Sequence, residues 1–128
     1  MSIQFQDDDS GWHDSPLPQN WWRICNPKFR CRPLSIQGID AGLWDATAGQ
    51  FEWRYTDDEL VFILAGAVFV REMGDKYETL HRLDVGDSMQ FPAGTRWQWT
   101  VQEYVRKFYV ITPRKSLLRR IFNFGKRL

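Results

Sequence analysis

Residues Phe51–Gly66 read FEWRYTDDELVFILAG, and this stretch decides the fold. Phe51, Trp53 and Tyr55 alternate with Glu52 and Arg54. A period of two is the signature of a strand, here with one fully aromatic face. The TDD that follows is a turn. Next comes a long apolar run, ELVFILAGAVFVRE, with Gly66 where a strand must bend.

The same grammar continues downstream. MGDK (73–76) holds a Gly-Asp turn, and YETLHRL (77–83) alternates again. DVGD precedes SMQFPAG, RWQWTV (96–101) places Trp97, Trp99 and Val101 on one face, and EYVRKFYVIT closes the series. Upstream, LWDA near 43–46 reads as a strand followed by the turn TAGQ. About eight short strands at near-regular spacing predict an all-β fold, a small closed barrel or jelly roll. Closure removes exposed edges that such a β-rich chain would otherwise present.

The flanks differ in character. Residues 1–20 are polar and turn-rich, with DDD at 7–9 and Pro16 and Pro18, and read as a loose arm. Pro27 and Pro33 leave room only for a short strand or turn around Trp21–Ile24. Near the other end, RKSLLRRIFNFG has helical period, with Leu117, Leu118, Ile121 and Phe122 on one face and Ser116 and Gly125 as caps. The expected organisation is an arm over 1–33, a barrel over 34–113 and a basic amphipathic helix over 114–128.

Composition narrows the function classes. A chain of 128 residues suits one domain with one core. Aromatics make up 16% of it and Trp alone contributes seven residues, which excludes a disordered chain. No apolar run has the length of a membrane span. MSIQFQDDDSGW lacks the basic start and apolar stretch of a secretory signal, so a cytoplasmic location is expected. Cys25 and Cys31 are too few for a disulfide scaffold and wrongly spaced for a C-x-x-C centre, so two free thiols are expected. From Arg114 onward there are six basic residues and no acid, which leaves the first 113 residues with 11 basic and 16 acidic side chains. An acidic body without a nucleic-acid motif argues against a nucleic-acid partner. The basic tail leaves only a weak membrane-surface contact open.

Two spaced motifs carry a resemblance. Glu59 is followed by six residues and then Gly66; Gly86 is followed by five residues and then Pro92-Ala93-Gly94. Nineteen residues separate Gly66 from Gly86. With VRKFY at 105–109, residues 44–112 resemble the cupin superfamily, and within it the small single-domain cupins akin to the cupin domain of ethanolamine-utilisation proteins. The subfamily's usual ending has His where Phe108 stands. The resemblance implies a cupin jelly-roll barrel and, as a family-level expectation, a homodimer.

In metal-binding cupins the matching positions offer three His and a Glu to one divalent cation. Here they are Trp53, Tyr55, Trp97 and Glu59. Indole has no lone pair to give, and phenol, with a pKa near 10, is a poor ligand at neutral pH. No metal and no cofactor are therefore expected. What remains is a barrel mouth lined by Trp53, Tyr55, Trp97 and Trp99, with Glu59 as a single polar anchor. That describes a small-molecule site, with isomerase- or lyase-type chemistry at Glu59 as its catalytic form. Lys107 is the candidate partner of Glu59; strand parity alone leaves its direction open.

A second reading stands beside the first. The same aromatics can simply fill a small barrel. The protein is then a non-catalytic module that dimerises or holds a partner. His81 reads as structural, His13 takes no role, and Asp57-Asp58-Glu59 lacks calcium-loop spacing. The terminal helix can lie on the barrel or cover a dimer seam.

Overall fold

The computed structural model describes residues 10–74 and 79–112. The expected C-terminal helix lies outside them, as do the first nine residues and Tyr77. Every regular element among the described residues is a strand. They are β1 (His13–Asp14), β2 (Arg23–Ile24), β3 (Phe29–Pro33), β4 (Asp40–Arg54), β5 (Asp58–Glu72), β6 (His81–Asp84), β7 (Ser88–Phe91) and β8 (Arg96–Thr112). All pair antiparallel.

Three long strands form the spine, with β8 hydrogen-bonded between β4 and β5. One end of this spine is widened by β3 on β4 and β7 on β5; the other end is widened by β2 on β4 and β6 on β5. The two ends form the two walls of the curled sheet. Passage between them occurs at register shifts, at Thr47/Gly49 in the β4–β8 ladder and at Ile63/Ala65 and Gly66/Phe69 in the β5–β8 ladder.

These shifts replace two breaks read from the sequence. TAGQ (47–50) is a bulge inside β4, not a turn between strands. RWQWTV and EYVRKFYVIT likewise form one strand, β8. A β-bulge bends a strand without ending it, and turn-type residues serve both purposes. Gly66 shows why glycine is required there. Its φ is +70°, and a Cβ would collide with the carbonyl oxygen of Tyr104 on β8.

The segment expected as an arm supplies three strands. β3 runs antiparallel to β4 from Phe29↔Ala46 to Pro33↔Gly42, and β1 pairs with β3. Phe29 is buried against Trp44 and Phe51. Trp12 lies under the guanidinium groups of Arg30 and Arg106, at 4.8 and 5.6 Å. Residues 1–20 read as loose because partners such as Arg30 for Trp12 and Cys31 for His13 lie 18 positions away in sequence.

The core fills the space between the walls. Phe51, Val61, Val70, Phe91, Trp99 and Val105 are fully enclosed. Ring pairs run through it: Trp44–Trp99 at 5.6 Å, Phe51–Trp99 at 6.1 Å and Phe91–Trp97 at 5.0 Å. Offset and edge-to-face rings at such distances are the favoured geometry.

Candidate functional site

The sheet register sets the site. Lys107 on β8 stands opposite Trp44 on β4 and Ile63 on β5. Those neighbours are buried, so the lysine side chain is carried into the barrel with them. Glu59, near the start of β5, stands opposite Ile111 of β8 and Phe91 of β7. Inside, Lys107 Nζ donates a hydrogen bond to Glu59 Oε2 at 2.9 Å. Lys107 is 1% exposed and Glu59 6%. The same ammonium lies 4.5 Å from the ring centre of Trp44, 4.7 Å from that of Trp99 and 5.1 Å from that of Trp53. A buried charge is costly unless it is paired, and here one carboxylate and three π-faces surround it.

A cleft of about 240 Å³ opens beside this pair. Trp21, Trp53, Tyr55 and Ile111 give it apolar walls; Arg54, Thr56, Asp57 and Glu59 are its polar members. Trp21 meets Trp53 edge-on at 5.4 Å. Tyr55 stacks on Phe91 at 4.8 Å, and its buried hydroxyl has no hydrogen-bond partner among the described residues. Burial first, then the Glu59 carboxylate, pushes this phenol well above 10, against a weaker opposing pull from the Trp99 indole N–H. That N–H and the phenol do not close a hydrogen bond of good geometry, and the indole N–H of Trp44 is also unpartnered.

The Trp21 wall is held from outside the barrel. Glu52 points to the opposite face of β4 from Trp53 and is itself buried. Its carboxylate accepts the Trp22 amide at 2.9 Å, Arg54 Nη2 at 2.8 Å and Arg96 Nη2 at 3.0 Å. The Arg54 hydrogen bond, with help from the Trp22 amide and Arg96, lowers its pKa to about 2 despite burial. Arg23 adds a clasp by donating to the carbonyl oxygens of Pro18 and Trp21.

The structure thus brings Trp53, Tyr55 and Glu59 together on the cleft, with Lys107 directly behind Glu59. Trp97 and Trp99 face inward but do not line the cleft. Trp97 packs on Phe91 and donates its indole N–H to Thr95 Oγ1 at 2.9 Å, and Trp99 is completely enclosed. His81 is exposed, with its ring 6.1 Å from that of Trp97, and His13 is exposed on β1. Asp57 is at the cleft, while Asp58 accepts the Ala93 amide at 2.8 Å. Both cysteines are free thiols. Sequence reasoning missed Trp21, Ile111 and Trp44. Trp21 sits in the segment set aside as an arm, and no local signal marks it. Trp44 was in view as part of a strand, but only the β4–β8 register places it across from Lys107.

Residues 37–109 match the EutQ-like cupin domain. The chain belongs to the EutQ-like cupin family. Solved structures with the same fold include the EutQ protein of Clostridium difficile, 20% identical over 68% of this chain and 69% of that one, with a TM-score of 0.59. A protein of Salmonella typhimurium assigned to ethanolamine utilisation is 24% identical over 67% and 70%, with a TM-score of 0.58. A DUF861-family protein of Thermotoga maritima is 31% identical over 61% and 83%, with a TM-score of 0.50. No curated protein matches the sequence.

Within this cupin, the donors at the metal positions do not fit a divalent cation. Trp53 and Trp97 offer indole, whose nitrogen is a donor only. The Tyr55 phenol is held protonated by burial. Glu59 is the one carboxylate, and one of its oxygens already receives Lys107. Among the described residues no three His, Cys, Asp or Glu side chains converge. Nor, among them, is any helix long and apolar enough to cross a membrane.

Proposed function

We propose that this cupin binds a small organic molecule in the cleft between Trp21, Trp53 and Tyr55, with the Glu59 carboxylate as its polar anchor, and that it does so without a metal ion. The observation that carries the reading is a nearly buried carboxylate on the wall of an aromatic cleft, fixed in direction by Lys107. A ligand lays a flat or C–H-rich face on the indoles and gives one hydrogen bond to Glu59. In the catalytic form of this reading, Glu59 takes a proton from a carbon next to the ligand's polar group and Lys107 holds the carboxylate in place. That is isomerase- or lyase-type chemistry. The free thiols go with a cytoplasmic location.

The test is intrinsic tryptophan fluorescence against small acids, amines and polyols, on the wild type and on Glu59→Gln. A saturable change that weakens at least tenfold in the variant supports the site. A flat response across the panel removes it.

One observation favours a second reading, that of a dimerising module with a filled barrel. On the outer face of the spine, Leu60, Phe62 and Leu64 of β5 are 37–39% exposed. Phe62 lies 6.0 Å from Phe108 on β8, so the stripe crosses two strands. It suits a second copy of this chain, since an isologous contact can cover such a stripe on both partners. Sedimentation of the wild type and of Phe62→Lys decides it; a wild-type monomer rules it out.

A further inference from the structure

We propose that the Lys107 ammonium is a built-in cation that takes the part a metal plays in metal-binding cupins: it holds the Glu59 carboxylate inside the barrel. The inference is independent of whether the cleft binds a ligand.

Two of the positions that match the metal ligands, Glu59 and Trp53, surround the Lys107 ammonium. Glu59 Oε2 is 2.9 Å from Nζ and the Trp53 ring centre 5.1 Å. Trp44 and Trp99 close the cage at 4.5 and 4.7 Å. Imidazole donors would serve a divalent ion through lone pairs. Indole offers a negative π-face, which suits an ammonium and not a metal. The replacement of His by Trp at position 53 therefore reads as a change of cation and not merely a loss. A lysine is the fitting choice. Its compact charge stands on a flexible four-carbon stem that reaches the barrel interior from β8. At 1% exposure the ammonium has little access to water, so the cage must replace its solvation. Lys107 is a positioning residue in this account, acting through Glu59.

The experiment removes the tethered cation and returns it untethered. Lys107→Ala deletes a propylammonium-sized fragment from the cage. We expect its Tm to fall by about 10 °C, the consequence of leaving Glu59 buried and unpaired. n-Propylammonium chloride should raise the Tm of Lys107→Ala while leaving the wild type unmoved. 1-Propanol, which has the same shape without the charge, should not. Equal rescue by propanol, or rescue by neither, overturns the proposal, because the site would then be selecting volume or nothing. Should Lys107→Ala not fold, the wild type answers alone. Of the five lysines in the sequence, one should show side-chain methylene protons shifted upfield by the indole ring currents. Five ordinary lysine spectra in the folded protein overturn the cage.

Discussion

Replacing Glu52 with Gln takes one negative charge from between two guanidinium groups and a backbone amide, and keeps the shape. The carboxyl is lowered from 4.5 to about 2 in the folded protein. Taken at face value through linkage, that shift is worth about 3 kcal/mol. The guanidinium partners are 40% and 52% exposed, so solvent screening removes much of their share. The Gln oxygen still accepts the Trp22 amide, so only the charge-assisted part of that bond, about 0.5 kcal/mol, is lost. The net expectation is about 1–2 kcal/mol at pH 7, or about 5 °C in Tm for a domain of this size. The sign follows from the direction of the shift. A carboxyl whose folded value lies below its unfolded one contributes fully above about 4.5, and that contribution is lost as pH falls towards about 2. Urea unfolding followed by tryptophan fluorescence, on wild type and Glu52→Gln from pH 7 to pH 2, should show a gap that closes over that window. Raised salt should narrow the gap at pH 7, because the arginine share is screened. A gap that stays constant across the window, or a Gln variant more stable at pH 7, would refute the reasoning. The experiment also reaches the cleft, since Glu52 holds the Trp22 amide next to the Trp21 wall.

Two further outcomes follow from the geometry. Gly66→Ala should cost at least about 3 kcal/mol, since it adds a backbone collision with Tyr104 to the strain of positive φ. Gly86→Ala, also at positive φ but with open space where its Cβ would go, should cost only about 1 kcal/mol; equal costs in thermal unfolding would sink the bulge account. The phenols of Tyr55, Tyr104 and Tyr109 are all pushed above 10, chiefly by burial. Their folded values lie above the unfolded ones, so the stability they contribute is present below pH 10 and is lost as pH rises beyond it. Absorbance titration should show all three ionising above the usual phenol range, with the buried Tyr55 resisting longest; ionisation of all three near pH 10 with the fold intact would contradict the reading.

The family, the all-β class and the inward Glu59 were legible in the sequence, because spacing carries them. The Glu59–Gly66 and Gly86–Pro92 intervals are set by the strand bends and turns that build the barrel, and such local demands are written in consecutive residues. The alternation of Phe51, Trp53 and Tyr55 likewise marked an aromatic wall, though not which of its rings would meet the cleft.

By itself, then, the sequence determined that imidazole is missing from the expected metal positions and that one acid remains among aromatic rings. Only the tertiary structure decided what stands beside that acid. Lys107 and Glu59 are 48 residues apart, and their meeting depends on the β5–β8 register and its bulges. A slip of one residue would turn the lysine to the outer face. The same holds for Trp21, which reaches the cleft through the grip of Glu52 on the neighbouring amide. Local pattern fixes which face a side chain takes within its own strand; which charges share a cage is set by pairings between distant segments, and these a linear pattern does not encode.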